Sequence, residues 1–336
     1  MPEAETDLAR RLEAFLGACE GGEVRVADLE RLHGGAARET WRFRAVGPQG
    51  DARRLVLRRD PPSTLITTSR AVEFHALARA HAAGLPVPRP LHLAMDPEIL
   101  GAPGFVMEEV LGGRAAGLFE PEPYGAQASL TGADVARALG RLHALEPDAA
   151  DRAVLPHHDA AGVLAYWAGE IERHRLGPEP VAMAALRWLE RHLPAPSGPP
   201  ALVHGDFRSG NFLVDGDNRL LAILDWEMAH IGDPLEDLAW LADPLWSHGD
   251  PRRAGAMRPW NELVPLWEEA SGRRFRADLF AWWRLFAGFK GLAIWITSAR
   301  EVVELRAADP VLAFSALWPY RAHAAEIAAL MVELGP

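Results

Sequence analysis

The loop HGDFRSGN at 204–211, together with the segment after it, constrains the fold more than any other part of the chain. After the loop comes NFLVDGDNRLLAILDWE, in which an Asp-Gly-Asp-Asn turn at 215–218 separates two apolar runs. Such a turn between apolar runs predicts a β-hairpin. The two strands of the hairpin run in opposite directions, so the chain would return to the end where it began. Asp225 would therefore lie near Asp206 and Asn211.

The order Asp, four residues, Asn matches the catalytic loop of kinases. In that loop the Asp receives the proton of the substrate hydroxyl and the Asn holds a metal ion. We therefore predict Asp206 as the catalytic base, and Asn211 and Asp225 as catalytic ligands of Mg²⁺, which prefers hard oxygen donors and keeps several waters. Asp215 and Asp217 are better explained as turn residues. The pattern predicts an ATP- and magnesium-dependent kinase that acts on a hydroxyl group.

The chain has 336 residues, which is more than one hydrophobic core usually holds. Its strand and helix patterns divide it into two parts. Residues 1–110 contain three strands joined by hairpins, a helical pattern at 69–83 and two further strands, which predicts an antiparallel five-stranded sheet with one helix. Residues 111–336 form a larger, mostly helical part. The predicted fold is α+β and two-lobed. The helical patterns lie at 131–145, 160–175, 180–193 and after 233.

Composition restricts the classes of function. A formal net charge of -11 argues against nucleic-acid binding, which needs clustered Lys and Arg. Cys19 is the only cysteine, which excludes internal disulfides and multi-cysteine zinc sites and fits a reducing cytoplasm. No secretory signal is evident, and the longest apolar stretch, around 285–297, is interrupted by Lys290, so no membrane span is predicted. We expect a small-molecule substrate in the cytoplasm; the oligomeric state is left open.

The motifs resemble the aminoglycoside phosphotransferase family of kinase-like enzymes, whose loop has His-Gly-Asp where protein kinases usually have His-Arg-Asp. VMEEVLGG at 106–113 is similar to the family's hinge, and GDPLEDLAWL at 232–241 is similar to the segment after its metal-binding aspartate. LVLRRDPP, HGDFRSGN, LDWEMAHIGDPLEDLAWL and FKGLAIWITSAR resemble the branch that includes kinase domains fused to acyl-CoA dehydrogenases. The resemblance covers about residues 24–300 and implies a two-lobed protein-kinase-like fold with ATP in the cleft.

The resemblance also implies which residues bind the nucleotide. The backbone of Glu108 and Val110 would pair with adenine, with Met107 behind it, although an ordinary strand end would explain the same residues. Gly34 and Gly35 lie where a loop would cover the phosphates, since glycine lets the backbone approach a ligand closely. The segment HGGAARET is not Gly-x-Gly-x-x-Gly, so a plain hairpin turn is an equal alternative.

Arg58 is the main departure from the kinase pattern. Where kinases have a strand lysine for the α- and β-phosphates, LVLRRD offers only arginine, and Lys290 is the only lysine among 35 basic residues. The resemblance assigns this role to Arg58, because guanidinium can hold phosphate oxygens bidentately. Alternation along the strand places it on the face opposite Leu57. Its partner would be Glu73 on the following helix, as in the lysine–glutamate pair of kinases; the alternative is that Glu73 is an exposed helix charge.

Other polar residues around the motif have structural interpretations. His204 would brace the loop rather than act as a base, because Asp206 fits the motif better. Asp233, followed by Pro234 and Glu236, forms an N-cap and capping-box pattern.

Two residues near the motif each have two open interpretations. Asp237 either braces the catalytic loop or has no role there. Arg208 either contacts phosphate or an anionic substrate, or it is exposed to solvent. The tryptophans of the last third should mostly be core, with one or two lining the acceptor pocket.

The sequence does not specify the acceptor. The dehydrogenase-linked branch implies a hydroxyacyl thioester or another hydroxylated metabolite. An aminoglycoside is less favoured, because a polycation calls for clustered carboxylates and residues 226–336 are only mildly acidic. A non-catalytic nucleotide-binding protein on a kinase-like fold is the alternative, motivated by the missing lysine and the poor glycine loop. A protein kinase is a further alternative, disfavoured because His-Arg-Asp and Ala-Pro-Glu are missing.

Overall fold

The computed structural model describes residues 3–32, 39–60, 69–304 and 310–335. The chain separates into two compact units, Met1–Leu111 and Gly112–Pro336. The first is built on an antiparallel sheet and the second is mainly helical, so the predicted α+β class is confirmed. The assignment of nucleotide binding to one unit and catalysis to the other remains a prediction.

The sheet of the first unit has five antiparallel strands, as predicted, in the spatial order β1-β2-β3-β5-β4. A longer helix is inserted between β3 and β4, also as predicted, and a single-turn helix follows β4. The strands are β1 (Arg25–Leu32), β2 (Glu39–Val46), β3 (Ala52–Arg59), β4 (Pro90–Ala94) and β5 (Gly104–Glu108). The helices are α1 (Glu3–Glu20), α2 (Arg70–Ala82) and α3 (Pro97–Leu100).

One face of this sheet forms a hydrophobic core with α1. Leu12 and Leu16 of the helix belong to the same buried cluster as Phe43 of β2 and Leu57 of β3. Side chains alternate between the two faces of a strand, so Arg58 lies on the face opposite this core. The sequence pattern therefore predicted the face of Arg58 correctly.

The second unit contains the predicted helices α4 (Ala128–His143), α6 (Ala160–His174) and α7 (Pro180–Arg191). The predicted hairpin is also present, since β8 (Phe212–Val214) pairs antiparallel with β9 (Leu220–Ile223). The other helices are α5 (Ala149–Val154), α8 (Leu235–Leu241), α9 (Trp260–Ser271), α10 (Ala277–Val303), α11 (Pro310–Ser315) and α12 (Trp318–Leu334). The other strands are β6 (Arg114–Ala115), which pairs with β8, β7 (Ala201–Val203) with β10 (His230–Gly232), and β11 (Arg253–Ala254) with β12 (Arg258–Pro259).

Helix α10 is the central helix of the second unit and packs against α6, α7, α8 and α12. It is long and apolar enough to cross a membrane by length and composition, but 72% of its most apolar stretch is buried inside the unit. A helix in the core of a unit is buried from several sides, which explains why α10 carries apolar residues around most of its circumference.

The hairpin β11–β12 departs from the expectation that everything after residue 233 is helical. Gly255 and Ala256 both have positive φ, 56° and 63°. Left-handed backbone ends a helix and closes a tight turn, and no sequence pattern in this region had indicated the turn.

Candidate active site

The predicted catalytic loop begins directly after β7 and ends in a 3₁₀ turn, Ser209–Asn211. Gly205 lies between His204 and Asp206 with a φ of 82°, and an added Cβ there would lie 2.4 Å from the carbonyl oxygen of Met228. Both the backbone conformation and the lack of space therefore require glycine. This explains why glycine occupies the middle position of His-Gly-Asp.

Asp206 is 8% exposed, and its carboxylate is held from three directions. Trp240 Nε1 donates to Oδ1 at 2.7 Å, and Asn211 Nδ2 donates to Oδ2 at 2.7 Å. Arg208 Nε lies 3.1 and 3.2 Å from the two oxygens. The orientation of the carboxylate is thus set by its neighbours, as a general base requires.

The structure brings Asn211 against Asp206 and joins it to the segment that carries Asp225. Asn211 Nδ2 also donates to the Asp206 carbonyl at 2.8 Å, and the Leu224 N–H donates to the Asn211 carbonyl at 2.8 Å. Asp225 itself has φ 66° and ψ 62°, a left-handed conformation, and precedes the 3₁₀ turn Trp226–Met228. Strained backbone of this kind at a non-glycine residue clusters at functional sites.

The donor set of Asn211 and Asp225 fits magnesium. Both hydrogen bonds of the Asn211 side chain use Nδ2, which leaves the amide oxygen to face a cation. One amide oxygen and one carboxylate suffice for Mg²⁺, which completes its shell with waters and phosphate oxygens. In the part of the chain that the structure describes, no group of three or more His, Cys, Asp or Glu could hold a metal. A site of the all-protein type is therefore not found among those residues.

His204 braces the loop, in agreement with the sequence-based interpretation. Its Nε2 lies 2.9 Å from the Leu224 carbonyl oxygen, and its Nδ1 accepts from the Asp206 N–H at 3.1 Å. These partners require a neutral ring with the proton on Nε2. Burial lowers the pKa of His204, which also favours the neutral form.

Asp237 is the second brace of the loop, the first of its two interpretations. Its carboxylate accepts from the backbone N–H groups of His204 at 2.8 Å and Gly205 at 2.9 Å. His143 Nε2 lies 3.1 Å from the same carboxylate, while Trp267 donates to His143 Nδ1 at 2.9 Å. Burial alone would raise the pKa of Asp237, but the hydrogen bonds from His143 and from the His204 N–H lower it overall.

The predicted capping box at α8 is only half correct. Asp233 Oδ1 accepts from the Leu235 N–H at 2.9 Å, as an N-terminal cap does. Glu236 does not reach back to complete the box; it contacts His230 and Lys290 in the interior. The buried charges of these two residues outweigh the local capping preference.

Sequence reasoning missed several residues that contact the loop, among them Trp240 and Lys290. Trp240 is one of the tryptophans of the last third that are expected mostly to be core, and nothing in its spacing indicates that its indole N–H binds Asp206. Lys290 donates to the Gly205 carbonyl from α10. A signal existed for Lys290, because it is the only lysine of the chain and lies in an apolar helix.

In the first unit the structure brings Arg58 and Glu73 together, with Arg58 Nε 3.0 Å from Glu73 Oε1. Glu73 is 2% exposed, so the alternative of an exposed helix charge is wrong. Arg70, which the sequence did not single out, is fully buried, pairs with Glu73, and lies with Nε 3.0 Å from Asp60 Oδ1. The expected pair is thus part of a four-residue ion network.

The predicted adenine-binding residues lie at the end of β5. Met107 is buried in the strand, and the Glu108 N–H donates to the Arg89 carbonyl at 2.9 Å. The Glu108 N–H is therefore already used within the unit, and pairing of its backbone with adenine stays a prediction. Val110 is partly buried just beyond the strand. The glycines at 34–35 lie outside the described residues.

A model of the APH phosphotransferase enzyme family matches residues 28–293. The chain belongs to this family. Mouse acyl-CoA dehydrogenase family member 11 is 29% identical over 80% of the chain, and mouse family member 10 is 29% identical over 69%. The chain spans only 35% and 21% of the length of these relatives. The resemblance to kinase domains of the dehydrogenase-linked branch is confirmed.

Solved structures show the same fold for this APH-family chain. A Ralstonia eutropha protein provisionally named an aminoglycoside phosphotransferase has a TM-score of 0.70 at 20% identity, covering 96% of this chain and 97% of that one. Choline kinase from Streptococcus pneumoniae has a TM-score of 0.64 at 13% identity, covering 97% and 99%. Spectinomycin phosphotransferase in complex with ADP and spectinomycin has a TM-score of 0.62 at 11% identity, covering 96% and 97%. These likenesses confirm the kinase-like fold.

The second unit of this APH-family chain also contains a cavity of about 450 Å³ next to the catalytic loop. His248, in its wall, accepts from the Ser209 hydroxyl at 2.9 Å, while its Nδ1 lies 3.0 Å from the Glu120 carbonyl. Arg208 lies over the ring of Trp246, 4.7 Å from its centroid, and its side chain is 27% exposed, so simple solvent exposure does not describe it; contact with phosphate or an anionic substrate stays a prediction. The cavity is lined by Leu118, Phe119, Glu120, Pro121, Asp243, Pro244, Leu245, Ser247, His248, Gly249, Pro251, Trp318, Ala322, His323 and Glu326.

Proposed function

We propose that this chain is a small-molecule kinase that transfers the γ-phosphate of ATP to a hydroxyl group. The observation that carries the proposal is the fixed carboxylate of Asp206 in the catalytic loop of a phosphotransferase family. Trp240 and Asn211 hold this carboxylate, while Asp237 and His204 hold the backbone on which it stands. A base fixed in this way removes most of the orientation cost of the reaction.

In the proposed reaction the acceptor hydroxyl donates its proton to Asp206 as its oxygen attacks the γ-phosphorus. The new oxygen–phosphorus bond forms while the bond from the γ-phosphorus to the bridging oxygen breaks, and ADP leaves with that electron pair. Positioning and neutralisation of charge supply most of the rate in such transfers. Asp206 therefore acts on the acceptor, and the other residues act on the nucleotide.

Asn211 and Asp225 would hold Mg²⁺, and Arg58 would bind the phosphates. When bound, Mg²⁺ supplies charge neutralisation on the phosphate oxygens. Arg58 is held by Glu73, and its planar guanidinium can donate more than one N–H to a phosphate from a single plane. The ammonium of lysine lacks this planar geometry. The Glu108 carbonyl and the Val110 backbone would pair with adenine.

The cavity in the second unit is our candidate for the acceptor pocket, and its charges favour a neutral hydroxylated molecule. Its three carboxylates already have partners, two of them arginines. Asp243 pairs with His323 at 3.0 Å, Glu120 with Arg114 at 3.1 Å, and Glu326 with Arg284 at 3.6 Å. Burial raises the pKa of Glu326 as well. This arrangement supports a hydroxyacyl thioester or another hydroxylated metabolite over a polycationic aminoglycoside, which needs carboxylates of its own.

The experiment is a screen of Mg-ATP consumption with hydroxyacyl thioesters, free hydroxy acids, amino alcohols and aminoglycosides. We expect at least one neutral hydroxylated acceptor to stimulate ATP consumption and to yield a phosphorylated product by mass spectrometry, with both lost when Mg²⁺ is removed. Slow ATP consumption that no acceptor changes would contradict the proposal. That outcome would favour the alternative of a nucleotide-binding protein without transferase activity.

A further inference from the structure

The only lysine of the chain is buried behind the catalytic loop. Lys290 is 1% exposed on α10. Its ammonium group donates to the carbonyl oxygen of Gly205 and, at 2.8 Å, to Oε1 of Glu236. Lys290 therefore links α10 to the site, because its buried ammonium binds the backbone carbonyl one residue before the proposed base, Asp206.

Glu236 and two aromatic rings hold Lys290 in place. Glu236 lies between Lys290 and His230, whose Nε2 is 3.1 Å from Glu236 Oε2. The rings of Trp240 and Trp167 flank the ammonium, with centroids at 5.3 and 5.6 Å. Burial, charge pairing and cation–π contact together leave the ammonium little freedom to move.

We propose that Lys290 is a positioning residue for phosphoryl transfer, which fixes the Gly205 peptide and through it the carboxylate of Asp206. The inference rests on the proposed function, since it names a residue that acts on the same base. Asp237 holds the Gly205 N–H at 2.9 Å, and Lys290 holds its carbonyl. Both polar groups of Gly205 are therefore fixed, and a flexible glycine with left-handed backbone becomes rigid next to Asp206.

Trp240 gives Lys290 a second connection to Asp206. One face of its indole lies against the Lys290 ammonium, and its Nε1 donates to Asp206 Oδ1 at 2.7 Å. A compact ammonium fits this enclosed position between two rings, a carbonyl and a carboxylate. The planar guanidinium of arginine, which fills every other basic position in the chain, would need a wider site.

The alternative is that Lys290 only stabilises the fold, and a paired substitution separates the two roles. Replacing both members of a buried ion pair by apolar residues often leaves stability unchanged, whereas removing one strands a charge. The variant Lys290→Met/Glu236→Met therefore removes the contact to Gly205 together with both charges of the pair. His230, the other partner of Glu236, can release its proton at neutral pH and so does not stay behind as an unpaired charge. Glu170→Gln is the control, because Glu170 is also a buried carboxylate of the second unit and pairs with His174 at 3.3 Å on its own helix.

The test is steady-state Mg-ATP turnover of the full chain, with thermal unfolding and Mg-ATP binding measured on each variant. We expect kcat of the paired variant to fall by about 10²-fold, the cost of a misplacement of about 1 Å, while its KM for ATP changes less than about twofold. Glu170→Gln should keep wild-type kcat. A paired variant that folds and keeps wild-type kcat would overturn the inference.

Should the methionine pair not fold, Lys290→Gln/Glu236→Gln takes its place with the same expected outcomes. This variant removes both charges and keeps polar groups at both positions. Asp206→Asn in the same assay separates failure of this inference from failure of the proposed function. If Asp206→Asn is as active as the wild type, the proposed function fails; if only the Lys290 variants are fully active, this inference alone fails.

Discussion

Two arginines converge on the buried carboxylate of Glu73 in the first unit. Arg58 stands where kinases have a lysine, and Arg70 adds a second guanidinium that also pairs with Asp60. The kinase pattern predicted the first pair. It could not predict the second, because Arg70 begins a helix and arginine at a helix start is usually exposed. Its burial results from packing between α2 and the sheet, which no local pattern encodes.

Glu73→Gln tests the energetic role of this network. The substitution leaves the fully buried Arg70 and the partly buried Arg58 with one carboxylate fewer, so we expect the free energy of unfolding to fall by about 3–5 kcal/mol. Urea denaturation measures it. The matched control is Glu30→Gln, which breaks a Glu–Arg pair of the same sheet whose side chains are 57% and 40% exposed. An exposed pair contributes little, so an equal loss in the two variants would contradict the account.

Three elements meet in the cluster of Glu236, His230 and Lys290. They are α8, β10 and α10, and each contributes one charged group behind the catalytic loop. Burial alone would raise the pKa of Glu236, but Lys290 and His230 lower it to about 2. Burial alone would lower the pKa of His230, but Glu236 raises it. The cluster therefore stabilises the folded state most where Glu236 is ionised and His230 is protonated.

The pH dependence of stability follows from these directions. The lowered pKa of Glu236 stabilises the fold above its ordinary value of 4.5, and this contribution is lost as the pH falls from 4.5 towards 2. The difference between a pKa of 4.5 and one of about 2 corresponds to roughly 3 kcal/mol of unfolding free energy. The raised pKa of His230 stabilises the fold below 6.5, and that contribution is lost as the pH rises through the folded-state value. We expect wild-type unfolding free energy to fall more steeply between pH 4.5 and 2 than that of Lys290→Met/Glu236→Met.

Urea denaturation of the two proteins at pH 7, 4.5 and 3 measures this difference. Each protein is compared with its own value at pH 4.5, so other carboxylates affect both equally and the His230 contribution, which changes between pH 7 and 4.5, does not enter the comparison. Parallel losses in the two proteins would show that Glu236 carries no such contribution.

Local patterns predicted the elements of the site well, and distant contacts were beyond them. The hairpin β8–β9 and the loop before it follow from a turn sequence and from a spacing that fits kinase chemistry. Trp240 and Lys290 reach the loop from 34 and 85 residues away. Their positions depend on how α8 and α10 pack, which hydrophobic periodicity does not specify. The inward turn of Glu236 was missed for the same reason.

At the scale of the whole molecule, the sequence supports two compact units and a kinase-like fold. Strand alternation in the first unit and helical periodicity in the second were sufficient for this, and the family match and solved structures agree. The acceptor could not be predicted, because the cavity that we propose as its pocket is assembled from segments near residues 120, 245 and 320 that are far apart in sequence. Only the fold places the carboxylates of the cavity next to their partners.

The most direct test of phosphoryl transfer by this chain compares Asp206→Asn with Asp215→Asn. Asp215 is a turn residue whose Oδ1 accepts backbone N–H bonds that asparagine can also accept, so it receives the same substitution without a proposed catalytic role. The measurement is Mg-ATP turnover with an acceptor identified by the screen, together with Mg-ATP affinity. We predict that Asp206→Asn binds Mg-ATP like the wild type and loses at least about 10²-fold in kcat, while Asp215→Asn keeps both properties. Undiminished turnover of Asp206→Asn would contradict the account.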